Sequence, residues 1–155
     1  DADLAHIASP ETYVGYARAE HFASVGGFTR DRTRRYASEP RLSLNQWALK
    51  GDWNVGEEDA RLASANGGIV YRFQARDLHL VLAPEQDGKP VRFRVLIDGK
   101  APGDDHGEDT DASGAGVVEG HRLYQLVRQR AGVQAHTFEI TFLDPGVRAY
   151  AFTFG

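Results

Sequence analysis

The sequence predicts an all-β fold, an antiparallel β-sandwich of jelly-roll type. Three observations lead there. Apolar and polar residues alternate over many short runs. Turn-forming Gly, Pro, Asn and Asp separate those runs. Helical spacing is nearly absent between them, which argues against βαβ units. At 155 residues the chain suits one domain, able to bury roughly 70% of the surface its unfolded form exposes.

The elements follow in order. Residues 1–28 have no strong period and read as a connector, in which Ser9-Pro10-Glu11 starts a short helical turn with Ser9 as N-cap. The sandwich is expected over 29–155, beginning with a polar loop that runs to Glu39-Pro40. Trp47, Leu49, Trp53 and Val55 then share one parity around a Lys50-Gly51-Asp52 turn signal. Leu42 and Leu44 take the other, so a bulge or bend is expected near Asn45 and Gln46. Asn66-Gly67-Gly68 reads as a hairpin turn between the run Asp59 to Ala65 and IVYRFQA. The next strands place Leu78, Leu80 and Leu82 on one face, then Val91, Phe93, Val95 and Ile97 opposite Arg92 and Arg94. HRLYQLVRQRAG fits a helix face or a strand equally by period. Phe138, Ile140 and Phe142 alternate cleanly. In the closing DPGVRAYAFTFG, Tyr150, Phe152 and Phe154 fall on one side and point to a strand that completes the core.

Composition narrows the function classes. A formal charge of -4 gives no basic surface for nucleic acid, and Arg30, Arg32, Arg34 and Arg35 read as a solvated loop. No apolar run is long enough to cross a membrane, so no membrane contact is expected of this segment. Cysteine is absent, which removes disulfides, thiol nucleophiles and thiolate metal sites. Methionine is absent as well and the first residue is Asp1, so the chain is expected to be a processed or excised piece.

Several constellations invite chemistry. From Asp109 the chain reads D-T-D-A-S-G, the opening of a calcium loop with Asp109, Asp111 and Ser113 as candidate ligands. Position twelve holds Gly120 where a bidentate acid belongs, and flanking helices are not expected, so no cofactor is anticipated. G-A-G-V-V-E-G has its third glycine one position late and no preceding strand for a dinucleotide fold. The histidines His6, His21, His79, His106, His121 and His136 show no zinc spacing. His79 reads as a strand-face residue, and His106 as a loop histidine near Asp104 and Asp105. No G-x-S-x-G marks a hydrolase. Trp47 and Trp53 suit either sugar stacking or the core, and at least one is assigned to the core. Arg72, Arg76, Arg92 and Arg94 suit a polar platform or the wet side of a half-buried sheet, and the wet side is preferred.

The segments SPETYVGYARAEHF, LNQWALKGDW, YRFQARDLHLVL, PVRFRVLIDG, RLYQLVRQ and FEITFLDPGVRAYAFTFG together resemble a known module. It is the one that follows the thioredoxin-like domain in DipZ-type cytochrome c biogenesis proteins and related exported thiol-disulfide proteins. The resemblance runs from about Ser9 to the last residue. It implies a jelly roll of the galactose-binding or carbohydrate-binding-module kind, on the extracytoplasmic side of a bacterial membrane. It also implies that RLYQLVRQ is a strand. The redox CxxC of such proteins belongs to the preceding domain, so nothing catalytic carries over.

The expected function is therefore a non-enzymatic accessory domain whose partner is an upstream thioredoxin-like domain, with a glycan or protein substrate. The alternative is a stand-alone carbohydrate-binding module, with Trp47, Trp53, Arg72, Arg92 and Tyr124 as candidate ligand contacts. A metal-dependent hydrolase built on the acidic loop is the third reading.

Overall fold

The structure, a computed structural model, describes residues 7–155. Eleven strands form one curled antiparallel sheet that folds into two layers. They are β1 (Thr12–Tyr13), β2 (Thr33–Tyr36), β3 (Trp47–Val55), β4 (Ala60–Leu62), β5 (Gly68–Gln74) and β6 (Asp77–Pro84), then β7 (Val91–Ile97), β8 (Ala115–Val118), β9 (Arg122–Arg128), β10 (Ala135–Phe142) and β11 (Val147–Phe154). The first layer runs β9-β6-β11-β4-β3, with β1 beside β11 and β2 beside β3. The second runs β8-β7-β10-β5-β3. RLYQLVR is thus a strand, and the fold is the expected sandwich.

Strand β3 belongs to both layers. Trp47 to Lys50 pair with β5 in one, and Gly51 to Val55 pair with β2 and β4 in the other. The Lys50-Gly51-Asp52 signal is therefore a corner within a strand, where the sequence suggested a turn. Gly51 takes φ 94° there, a conformation that costs glycine little.

Asn66-Gly67-Gly68 also differs from expectation. Asn66 does turn the chain with φ 68°, but β4 and β5 do not pair. They lie in opposite layers, so the turn is an arch between sheets and not a hairpin. Asn45, near the predicted bend, has φ 71°.

The core is the space between the layers. Alternation places Trp47, Leu49, Trp53, Ile69, Tyr71, Phe73, Leu78, Leu80, Leu82, Val91, Phe93, Val95, Phe138, Ile140 and Phe142 inside, all at most 1% exposed. The closing strand departs from simple alternation. Its register against β6 slips between Ala149 and Ala151, so Val147 and Ala149 face inward before the slip and Phe152 after it. Tyr150, expected beside Phe152 and Phe154, is the extra residue and turns to the outer face.

The segment read as a connector is, from Ala8 onward, stitched to the sandwich. Ala8 N donates to Gln74 O and β1 pairs with β11. Phe22 stacks on Phe28 with ring centroids 3.7 Å apart and lies 4.8 Å from Trp47. Ser9 caps no helix; its hydroxyl donates to Asn45 Oδ1 and accepts from Gln74 N. The segment lacks a period because it supplies isolated anchors, Thr12, Val14 and Phe22, to strands that lie elsewhere in the sequence. The start of the expected connector and His6 lie outside the described residues.

Candidate functional site

The five residues singled out as ligand contacts do not converge. Trp47, Trp53 and Tyr124 are each 0% exposed, sealed between the layers, where no ligand on a sheet face reaches them. Their polar atoms are spent internally. Trp47 Nε1 donates to Glu20 O at 2.8 Å and Trp53 Nε1 to Lys50 O at 2.9 Å. The Tyr124 hydroxyl donates to Gly120 O and accepts from the Glu119 and Gly120 amides. Arg72 and Arg92 do lie on the outer face of the second layer, but in separate ion pairs. Arg92 grips Asp144 with two bonds of 2.9 and 2.8 Å, and its guanidinium holds that carboxyl down at about 2. Arg72 donates to Thr137 Oγ1 and stands 3.8 Å from Asp98. The arginines form no shared platform.

The acidic loop closes a sheet edge. Gly107 N donates to Leu126 O and Asp109 N to Gln125 O, so the loop continues the ladder beyond β9 and covers its open side. The Asp109 carboxylate accepts from both terminal nitrogens of Arg122 and from the Gln125 amide at 2.7 Å. Partial burial opposes its ionisation, yet the guanidinium and that amide hold its pKa below the ordinary carboxylate value. Asp111 Oδ1 accepts from Ser113 N, Ser113 Oγ and Ala115 N. A calcium ion at Asp109, Asp111 and Ser113 would have to displace these donors. Millimolar calcium is therefore expected to leave Tm unchanged by calorimetry, whereas Asp109→Ala should cost about 1–2 kcal/mol through the orphaned Gln125 amide. A rise in Tm with calcium would contradict the edge-closing role.

The open chemistry lies on the outer face of the first layer. A groove of about 360 Å³ is lined by Tyr13, Ala17, Arg18, Glu57, Glu58, Val81, His121, Tyr150 and Ala151. The bulge in β11 supplies Tyr150, and β1 supplies Tyr13 through its pairing with Ala151. His121, just before β9, stacks on Tyr150 with centroids 4.6 Å apart and planes 12° from parallel. The Arg18 guanidinium covers Tyr13 at 3.8 Å from the ring centroid, a cation–π contact. The Tyr13 hydroxyl donates to the Glu11 carboxylate, whose demand for that proton raises the phenol pKa. Val81 and Ala151 form an apolar floor. The groove thus offers two half-buried tyrosine rings and an exposed imidazole over a greasy base with charged groups at its rim, a common composition for small-molecule sites.

None of Tyr13, Arg18, His121 and Tyr150 was identified from sequence. They come from three separate segments, and the register of β1, β11, β6 and β9 brings those segments together.

Fold and composition define an all-β sandwich module with no thiol chemistry of its own, since the sequence contains no cysteine. The chain belongs to the family described as thioredoxin like C-terminal domain, whose pattern matches residues 9–155. It is similar to Protein DipZ of Mycobacterium bovis (strain ATCC BAA-935 / AF2122/97) and to Protein DipZ of Mycobacterium tuberculosis (strain CDC 1551 / Oshkosh). Each is 25% identical over 93 residues, which cover 56% of this chain and 13% of the DipZ sequence. The matched region is thus a small part of those proteins. No helix among the described residues is long and apolar enough to cross a membrane.

Proposed function

We propose that this chain is a non-catalytic accessory domain of an exported thioredoxin-like thiol-disulfide protein of the cytochrome c biogenesis type. In this reading it works on the extracytoplasmic side and binds a carbohydrate in the Tyr13–Tyr150 groove. The observation that carries the ligand class is the outward turn of Tyr150 at the β11 bulge, beside His121 and above Val81 and Ala151. A ring with an apolar face and a polar edge suits a sugar, whose C–H face is apolar and whose hydroxyls radiate at its rim. Family membership and the likeness to DipZ support the tie to a thioredoxin-like domain. Tethering to such a domain raises the local concentration of a weakly held ligand without new contacts.

The test is a glycan array followed by calorimetry on this chain and its Tyr150→Ala variant. Binding to at least one glycan class is expected, with affinity reduced about tenfold in the variant and Tm retained. An array with no binder, together with Tyr150-dependent binding of a reduced polypeptide, would replace the carbohydrate reading with a protein-substrate one.

A further inference from the structure

The groove around Tyr150 is one part of a longer feature set by strand register. In the first layer Leu123 on β9 stands opposite Val81 on β6, Val81 opposite Ala151 on β11, and Ala151 opposite Tyr13 on β1. Residues directly opposite in antiparallel strands project to the same face. These four side chains therefore make one apolar row straight across four strands. Neighbouring strands lie about 4.7–4.9 Å apart, so the row extends roughly 14–15 Å. A second row lies beside it, in which Gln125 stands opposite His79 and His79 opposite Thr153. His79 Nδ1 is 3.4 Å from Thr153 Oγ1, and partial burial lowers its pKa, against the pull of Asp77.

The strip continues at both ends. Leu123 is 39% exposed at the β9 end. At the other, a second depression of about 310 Å³ shares Tyr13 and Arg18 with the groove and extends to Pro10, Glu20 and His21. From Leu123 to Ala151 the two rows hold no Asp, Glu, Lys or Arg side chain, and the charges at the groove's rim, Arg18 against Glu57 and Glu58, are of both signs, so neither a polyanion nor a polycation meets a run of complementary charge there. An extended peptide gains little either, because strand addition needs a free sheet edge. On this face the backbone groups of β6 and β11 are already used in the ladders on either side.

We propose that this strip binds an internal stretch of an uncharged linear glycan laid across the strands, with ring faces on Leu123, Val81 and Ala151, its end reaching the Arg18-covered Tyr13, and hydroxyls toward Gln125, His79 and Thr153. The inference rests on the carbohydrate reading of the groove and adds the length and charge of the ligand. Such a ligand is recognised along its chain and not by its end, which suits a domain that places an attached protein on a polymer surface.

Calorimetry with cello-, xylo- and N-acetylchito-oligosaccharides, from monosaccharide to hexasaccharide, tests it. For the series that binds, affinity should rise about tenfold or more from disaccharide to hexasaccharide. Leu123→Asp, an exposed change at the β9 end of the row, should remove most of that gain while leaving Tm unchanged. Equal affinity at every length, or no effect of Leu123→Asp, would overturn the extended strip yet leave a sugar pocket at Tyr150 standing. Preference for oligogalacturonate over all three uncharged series would overturn the charge assignment. Absence of binding by all of these oligosaccharides would overturn the linear-glycan strip, whereas the carbohydrate reading itself falls only if the glycan array also yields no binder.

Discussion

Trp53→Ala is expected to destabilise the fold by about 3–5 kcal/mol, the usual cost of emptying a buried aromatic site. The Trp53 side chain is fully enclosed, meets Phe142 edge to face with centroids 6.0 Å apart, and ties its indole N–H to Lys50 O. It stands immediately after the β3 corner, where the chain leaves one layer for the other. Truncation would open a cavity between the layers and strand a carbonyl at the corner. A domain of this size is stable by only about 5–15 kcal/mol, so the loss is a large fraction of the whole. Urea denaturation followed by circular dichroism should show a much lower midpoint with a similar slope. Trp47→Ala should behave alike, since it also removes the partner of Phe22 and so loosens the segment before Phe28. Retained stability with loss of glycan binding in either variant would mean that tryptophan lies at the ligand, contrary to its burial.

The contrast between those indoles and the groove shows what a linear reading captures. Strand faces were legible, because burial on one side of a pleated sheet enforces a period of two. Leu78, Leu80 and Leu82 share one face as expected, as do Phe138, Ile140 and Phe142, and in both strands that face is the buried one. Layer assignment was not legible. Gly51 and Asn66-Gly67 both read as turns, but local composition does not reveal whether the next strand pairs with the last or crosses to the other sheet. The resemblance to thioredoxin-linked modules, and not the period, resolved the β9 ambiguity.

The candidate site was missed for a related reason. Tyr150 was placed with Phe152 and Phe154 by continuing one alternation to the end of the chain. Val147 and Ala149 carry a competing apolar parity in the same strand. Two apolar sets of opposite parity require a bulge between them, the same reason a bend is expected near Asn45. The paired side chains were equally hidden. Arg92 and Asp144 are 52 residues apart in the chain, Asp109 and Arg122 lie on either side of β8, and both pairs meet only through folding. Trp47, Trp53 and Tyr124 attracted a binding role by residue type, although the parity of β3 already directed both indoles to one face.

Gly51→Ala should destabilise by about 2–5 kcal/mol, from two additive causes. At φ 94° an L residue is strained whatever surrounds it. A Cβ at this position would also lie 2.7 Å from Gly67 Cα. That neighbour is backbone, so no side-chain rotation relieves the clash, and the β4–β5 arch would have to move away from the corner. Gly88→Ala separates the two causes. Gly88 has φ 78°, but an added Cβ meets nothing within 4 Å. Its substitution should therefore cost only the conformational term, about 1 kcal/mol. Thermal and urea unfolding of the pair measure the difference. Equal losses would mean that the close approach of Gly51 and Gly67 contributes nothing, and that the corner between the layers is held by conformation alone. A markedly larger loss at Gly51 would show that two glycines, distant in sequence, allow one strand to serve both sheets and so bring β11, with its outward Tyr150, against β4 and β1.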